Sequence, residues 1–428
     1  MNKTALVIYS TKENRYSFNA LLGALESTEE HTFMDVFFYD PKKSDESLLD
    51  DCVARFEHVV FAFSFFTTQV WDVYRFLIKV KEKYANRIVF IAGGPHATGE
   101  PKATLDMGFN YVMIGEGEEL INDFFHAVRQ DDDLGIIAGV YSKTEQGYRY
   151  TARKGTVDLN SFLPFSEKYR KFGPIEITRG CPFACNFCQT TRIFGCSVRH
   201  RSIETIEGLL QILKRNGLKD FRAITPNALA YGSTDGKRVD LDAVQGLLSA
   251  IKFVIPEGRI FLGSFPSEVR PEHVTEESMS LLCDYVSNDN IIIGAQTGSQ
   301  RLLDLSHRGH RVSDVYSAVE IALDFNMLPN VDFMFGLPGE TQDDIYQSIT
   351  VMNDLIKMGA RIHAHTFMPL PQTPFAQKGR GKVNDEMRRY IRTHVSQGAI
   401  YGDWAEQAKQ SQRIEKLLKT KKVDLNDI

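Results

Sequence analysis

The segment Ile177-Thr-Arg-Gly-Cys181-Pro-Phe-Ala-Cys185-Asn-Phe-Cys188-Gln-Thr190 gathers three of the chain's six cysteines within eight residues, in a CxxxCxxC spacing. The short alternating apolar run Pro174-Ile-Glu-Ile-Thr178 leads straight into it, so a strand delivers the thiols onto a loop. A thiol cluster this tight, in a chain with few other cysteines, reads as a metal site and not as a disulfide set. Thiolates are the usual ligands of iron–sulfur clusters, and three of them leave one iron of a four-iron cubane open. Two other readings share the spacing: a zinc knuckle short of one ligand, for which Cys196 could supply the fourth, or three ordinary buried thiols. Zinc sites usually come as paired CxxC units or with histidines at their own spacing.

This segment resembles the cysteine motif of the radical S-adenosylmethionine (SAM) enzymes. The resemblance implies that Cys181, Cys185 and Cys188 hold a [4Fe-4S] cluster whose open iron takes the amino and carboxylate groups of SAM. It also gives Phe187, the aromatic residue before the third cysteine, a place beside SAM.

Upstream, apolar segments alternate with amphipathic ones. Strand-like runs fall at Ala5–Tyr9, Thr32–Tyr39, His58–Ser64, Ile88–Gly93 and Tyr111–Ile114, with helical stripes at Ser17–Leu25, Val70–Tyr84 and Glu118–Val128 between them. This alternation predicts βαβ units and a parallel sheet, whose ligands sit at the carboxyl ends of the strands. Those ends carry Ser64-Phe-Phe-Thr67-Thr68-Gln69, Gly93-Gly94-Pro95-His96-Ala97-Thr98 and Gly115-Glu116-Gly117-Glu118. Glycines there let backbone approach a ligand, although turn closure is their default role. A hairpin, Gly135–Tyr141 with Tyr148–Ala152, closes the region.

Placed before a radical SAM motif, these loops resemble the N-terminal domain of the cobalamin-dependent radical SAM enzymes. The resemblance implies cobalamin contacts at Ser64, Thr67, Thr68, Gln69, Gly93, Gly94, Pro95, His96, Gly115, Glu116, Gly117 and Glu118, with Ser17 and Asn19 near the corrin side chains. The D-x-H-x-x-G pattern of proteins that ligate cobalt through histidine is missing, and His96 reads as a loop residue. The resemblance then implies base-off cobalamin without a histidine axial ligand and with an open or water-filled lower face, beneath which Thr67, Thr68 or Gln69 is expected.

After the cysteines the alternation resumes, with strand-like runs at Phe221–Thr225, Arg259–Gly263, Asn290–Ala295, Asn330–Phe335 and Arg361–Phe367. With the cysteine-delivering strand this makes six, the count of the partial (β/α)6 barrel that the resemblance implies. Chemistry in parallel barrels sits at the carboxyl ends of the strands. By resemblance Pro226 and Asn227 lie near the methionine moiety of SAM, Ser264, Ser267 and Gln296 near ribose or carboxylate, and Gly336 and Leu337 near adenine. His363 and His365 alternate and so face one side. They could bind metal or move protons, but with nothing nearby to complete a ligand set a satisfied interior pair is expected. No catalytic side chain stands out.

The expected architecture is α/β: a Rossmann-like cobalamin-binding domain at 1–153, a linker at 154–172, the radical SAM partial barrel at 173–376 and a short helical extension at 377–428. The 428 residues suffice for such a chain, and 43% hydrophobic with 25% charged residues is an ordinary globular composition. Gln377 to Ile428 carries twelve Lys/Arg against seven Asp/Glu, which leaves about −10 of the net −5 charge on the rest. Such a balance makes the chain a poor candidate for a binder that works by neutralising phosphates, so no nucleic-acid partner is expected. No apolar run approaches a membrane span and no signal peptide is visible, so a cytoplasmic protein is expected.

By resemblance, the reduced cluster cleaves SAM to a 5′-deoxyadenosyl radical, the substrate loses a hydrogen atom and takes a methyl group from methylcobalamin, and a second SAM restores that methyl. An external one-electron reductant is then required. The expected activity is C-methylation of an unactivated sp3 carbon, with a peptide or protein as substrate, a post-translational modification. The compact layout resembles the enzymes that methylate methyl-coenzyme M reductase, such as the glutamine C-methyltransferase. The alternatives are ring contraction or cyclisation of a small molecule, and a non-catalytic corrinoid or iron–sulfur sensor.

Overall fold

The computed structural model describes residues 3–426, so the outermost residues of the first and last sequence-derived ranges lie outside the described residues. Two compact units emerge: the chain up to Gly173 together with the stretch from Leu417, and Pro174–Lys416.

The first unit is a seven-stranded sheet of β1 (Thr4–Tyr9), β2 (Met34–Tyr39), β3 (His58–Ser64), β4 (Val89–Gly93), β5 (Tyr111–Met113), β6 (Val140–Thr144) and β7 (Gly147–Tyr150), in the order β2-β1-β3-β4-β5-β6-β7. Strands β1 to β5 pair in parallel and β6 and β7 run antiparallel. Every residue of β1 is buried, as a strand covered on both faces requires. One face carries Leu6, Ile8, Val60, Ala62 and Ile91 under the helices Arg15–Glu26 and Glu118–Gln130, whose Phe18, Leu22, Leu120, Phe124 and Phe125 complete that core. The other face is aromatic, with Tyr9 stacked on Phe63 at 4.8 Å and Phe63 against Phe109 at 5.3 Å. The chain order reverses at β1, with β2 on one side and β3 on the other, which is where open α/β sheets take their ligands.

Three local expectations differ. The first hairpin strand starts at Val140, because Leu134–Ile136 forms a 3-10 turn in which Asp133 Oδ1 accepts from Gly135 N at 2.9 Å. The 154–172 segment is ordered on the helix Arg15–Glu26: Phe165 is fully buried and the Glu26 carboxylate accepts from Glu167 N at 2.9 Å. His96 is not in a loop but in the helix Gly94–Gly99, which Pro95 starts with the fixed φ that suits a first turn.

In the second unit β8 (Ile175–Glu176) leads to β9 (Thr178–Arg179), which pairs antiparallel with β10 (Arg199–His200) across the cysteine loop. Parallel pairing then runs through β8, β11 (Phe221–Ile224) and β12 (Ile260–Phe261), and separately through β13 (Asn290–Gln296), β14 (Leu328–Phe335), β15 (Arg361–Thr366) and β16 (Ile400–Tyr401). A parallel bridge between Val269 and Ile293 joins the two sets. Apart from the antiparallel pair β9 and β10, the parallel run contains the expected six strands, and β16 adds a seventh. The helices Asp385–Ser396 and Trp404–Thr420 match the expected extension; residues 377–416 belong to the second unit and those from Leu417 to the first. Among the described residues no helix is long and apolar enough to cross a membrane.

Candidate functional site

The cysteine loop is held by specific contacts. Gly180, at φ +87°, lies where a Cβ would come within 2.1 Å of the Ser197 carbonyl oxygen, so only glycine fits. Asn186 is tied on three sides: its N–H donates to Ser306 O at 2.9 Å, its Nδ2 to Leu305 O at 2.7 Å, and its carbonyl accepts from Phe375 N at 3.0 Å. Thr191 Oγ1 donates to Cys181 O at 2.9 Å and closes the loop onto the following helix, Thr190–Phe194.

Each sulfur has a hydrogen-bond donor. The backbone N–H of Phe183 serves Cys181, the backbone and hydroxyl of Thr190 serve Cys188, and the fully buried Arg308 directs Nη1 at Cys185 Sγ at 4.0 Å. Burial pushes the Cys181 and Cys188 thiols up, and these donors pull them back toward thiolate. Donors aimed at sulfur tune iron–sulfur ligands. Three thiols on one loop, each with a hydrogen-bond donor, are the donor set an iron–sulfur cluster takes. The residues present therefore fit a cluster.

Around the loop, Arg270 lies over the Phe183 ring at 3.4 Å and donates Nε to Glu272 at 2.5 Å. Arg308 also donates Nη2 to Gly294 O at 2.7 Å. Glu268 is completely buried; desolvation raises its pKa, with Arg308 opposing, and it hydrogen-bonds Asp332. Sequence reasoning missed Asn186, Glu268, Arg270 and Arg308. The alternation Glu268-x-Arg270 after the third barrel strand was the available signal.

Of the residues expected near SAM, Phe187 and Leu337 meet in one apolar cluster with Leu302, Phe367 and Phe375. Ser264 is buried and its hydroxyl has no hydrogen-bond partner among the described residues, as a ligand-facing group requires. Pro226 is half-buried just beyond β11, and Gln296 ends β13 with a left-handed φ of +73°. The Asn227 amide is committed to His273 Nδ1 at 2.9 Å, and Ser267 Oγ lies between Gly263 N and Ser264 O, so both brace the site. Gly336, at φ +73°, accepts from Gly381 N at 2.9 Å and donates to Glu340 Oε2 at 3.0 Å.

In the first unit the expected cobalamin loops share the carboxyl edge of β3, β4 and β5. Gly94 has φ +86°, and a Cβ there would meet Ser64 Oγ at 2.7 Å and Phe65 N at 2.9 Å. Gly115, at φ +82°, faces open space, and Thr98 Oγ1 accepts from its N–H at 3.1 Å. Thr68, Gly93 and Pro95 are half-buried on this edge, and Ser17 is half-buried on the first helix. Glycine backbone close to an open edge fits a large planar ligand.

Other loop residues are occupied internally. His96 is 1% exposed, stacks on Phe65 at 5.6 Å and shares Nδ1 with Thr67 Oγ1 at 3.1 Å. Burial, aided by Lys421, pushes its pKa down to about 3, so it is neutral and inward-facing. Gln69 Oε1 accepts from Phe66 N at 3.0 Å, Glu116 Oε2 from Val157 N at 2.7 Å, and Asn19 Nδ2 donates to Phe172 O at 3.1 Å. Gly117 sits where a Cβ would strike Leu21, and Glu118 is buried in the first turn of its helix. Asn14, unnoticed in the sequence, donates Nδ2 to Tyr9 O at 2.8 Å and Ser64 O at 3.0 Å and so ties the ends of β1 and β3 together.

His363 and His365 are hydrogen-bonded, as a satisfied pair would be, but the premise that nothing nearby completes a ligand set fails. Asp332 pairs with His363 across β14 and β15, and its Oδ1 lies 2.9 Å from His363 Nδ1 and 3.8 Å from His365 Nε2, so a third ligand is present after all.

Comparison with known proteins agrees with this geometry. Residues 175–352 match the Radical SAM superfamily and residues 16–124 the B12 binding domain. The chain thus carries a B12 binding domain ahead of a radical SAM domain. The cofactors of these two domains are a [4Fe-4S] cluster, SAM and cobalamin.

Its relatives include an uncharacterized protein of Methanopyrus kandleri, 24% identical over 70% of this chain, and an uncharacterized methyltransferase of Pyrococcus horikoshii, 23% identical over 75%. The chain spans 64% and 69% of their lengths. Among solved structures, the radical SAM methyltransferase TsrM from Kitasatospora setae, with cobalamin and a [4Fe-4S] cluster, matches with TM-score 0.68 at 15% identity, over 88% of this chain and 77% of that one. The cobalamin-dependent radical enzyme OxsB with aqua-cobalamin matches with TM-score 0.64 at 13% identity, over 82% and 52%. At such identity the likeness is one of fold.

Proposed function

We propose that this chain is a cobalamin-dependent radical SAM C-methyltransferase that methylates an unactivated sp3 carbon of a peptide or protein residue and consumes two SAM per turnover. A glutamine of methyl-coenzyme M reductase is the particular residue the sequence resemblance suggests. The observation that carries the reading is the donor set on the cysteine loop, an N–H or O–H aimed at each of three sulfurs, in the same chain as a B12 binding domain with an open glycine edge.

Cys181, Cys185 and Cys188 would hold the cluster, with Phe187 and Leu337 as the apolar wall and the Ser264 hydroxyl as a free hydrogen-bonding group for SAM. The edge at Ser64, Gly94 and Gly115 would take the corrin, with no histidine beneath the cobalt because His96 is buried. The bound cofactors supply the radical and the transferable methyl group, which no side chain can provide to an unactivated carbon. The protein contributes position and exclusion of water.

The test is anaerobic reconstitution with iron, sulfide and cobalamin, then reduction with SAM and a peptide spanning the glutamine site. Equal yields of 5′-deoxyadenosine and S-adenosylhomocysteine, with a 14-Da mass increase of the peptide, are expected, about one methylene unit. Deoxyadenosine without S-adenosylhomocysteine would replace the reading with ring contraction or cyclisation. Neither product, with both cofactors bound, would indicate a sensor.

A further inference from the structure

Strands β14 and β15 alternate fully buried residues, Val331, Phe333, Ile362 and Ala364, with half-buried ones, Asp332, His363 and His365. The second set therefore shares one face of the sheet. Its side chains are 13%, 30% and 28% exposed, which leaves room for further ligands. Three atoms converge there: His363 Nδ1 and Asp332 Oδ1 are 2.9 Å apart, His365 Nε2 and His363 Nδ1 3.1 Å, and His365 Nε2 and Asp332 Oδ1 3.8 Å. The centre of that triangle is about 1.9 Å from each corner, so one point lies about 2.1 Å from all three atoms, the bond length of zinc to nitrogen and oxygen.

Hydrogen bonding alone does not satisfy the group. Gln407 Oε1 accepts from Thr366 N at 2.8 Å, which turns its NH2 toward His365 Nδ1 at 3.3 Å and leaves the His365 proton on Nε2. His363 Nδ1 donates to Asp332, so the two imidazole N–H groups confront each other at 3.1 Å and the His365 N–H meets Asp332 Oδ1 only at a long 3.8 Å. A cation accepting all three lone pairs removes that conflict. The ring of His363 is already fixed, stacked on Tyr401 at 4.6 Å and 6°, and Gly402 lets β16 approach it.

We propose that Asp332, His363 and His365 bind one divalent transition-metal ion of the zinc or ferrous class at a site separate from the three cysteines. Two nitrogens and one carboxylate with open positions suit borderline ions and leave room for water or a substrate oxygen. Binding moves the His363 proton from Nδ1 to Nε2 and the His365 proton from Nε2 to Nδ1, where it meets the Gln407 NH2; the amide must turn and so weakens the site. A glutamate in place of Gln407 would offer oxygens to both Thr366 N–H and His365 Nδ1–H, the outer partner that metal-bound histidines favour.

The test uses the full chain with its cluster reconstituted, stripped of loose metal with EDTA and titrated with Zn2+ against a chromophoric chelator, with Co2+ as a spectroscopic probe. One saturable Zn2+ per chain is expected beyond the cluster iron. His363→Ala and Asp332→Ala should each weaken it by about 10- to 100-fold or more, and Gln407→Glu should tighten it about ten-fold. Cluster absorbance serves as the check that the variants fold. If no visible cobalt band develops, or Zn2+ binds the His363→Ala/His365→Ala variant as tightly as the unaltered chain, the proposal is overturned. It is equally overturned if Gln407→Glu leaves affinity unchanged, a readout that does not depend on the alanine variants folding. None of these outcomes bears on methyl transfer, so the site and the proposed activity can fail independently.

Discussion

The guanidinium of Arg308 stands 4.0 Å from Cys185 Sγ, more than 120 residues away in sequence, and is completely buried there with Glu268, Glu272 and Arg270 among its charged neighbours. A fixed positive charge beside one ligand favours the more negative, reduced state of a bound cluster. Arg308→Leu is therefore expected to make the reduction potential more negative, by about 59 mV for each tenfold loss of that preference. It should also lower the melting temperature, because buried carboxylates lose their partner. Redox titration followed by electron paramagnetic resonance checks the first, and an unchanged potential would remove Arg308 from the cluster's environment.

The cysteines make a sharper case. Cys181→Ala, Cys185→Ala or Cys188→Ala should each abolish reductive SAM cleavage and strip the cluster, since a cubane held by two thiolates lacks a protein ligand at two irons. Cobalamin binding should survive, because the loops at Ser64, Gly94 and Gly115 belong to the other compact unit. Iron content and the optical spectrum of added cobalamin, read on the same sample, test both halves.

What the sequence disclosed follows the range of the interactions. That Cys181, Cys185 and Cys188 share one loop was legible because a loop's spacing is local, and β1 to β5 because buried parallel strands read as continuous apolar runs. Asp332 was missed because its pairing with His363 depends on strand register, which sequence periodicity does not fix. Arg308, Asn186 and Asn14 escaped notice because each acts through bonds to residues 50 to 123 positions away. Ile400–Tyr401 is too short a strand to show a period, and Gly93-Gly94-Pro95 reads as a helix breaker although Pro95 starts a turn of helix.

The segment 154–172 offers a steric test. A Cβ on Gly23 would come within 2.3 Å of Leu163 O and 2.5 Å of Phe165 O, both backbone atoms that cannot rotate away. Gly23→Val should lift this segment off the helix Arg15–Glu26 at a cost of about 1–3 kcal/mol, the usual range for overpacking. Limited proteolysis should then cut within 154–172 at least several-fold faster than in the unaltered chain. Equal cutting rates would mean that the segment is not held by this contact.

Glu340 gives the chain a pH dependence of known sign. Burial raises its carboxyl to about 7, against the Gly336 N–H that pulls it down. Because the folded value lies above the unfolded 4.5, the folded state binds more protons between these values. The contribution to stability is complete below about pH 4.5 and is lost as pH rises through about 7. At about 1.36 kcal/mol per unit, this carboxyl penalises the folded state at pH 8 by roughly 3 kcal/mol relative to pH 4.5. A glutamine in its place would keep an oxygen for Gly336 N–H and carry no charge, so Glu340→Gln should flatten the fall in melting temperature between pH 5.5 and 8, gaining about 2–4 °C at the alkaline end. Scanning calorimetry of both proteins across that range decides it: parallel curves would show that Glu340 is not protonated in the folded chain at pH 5.5.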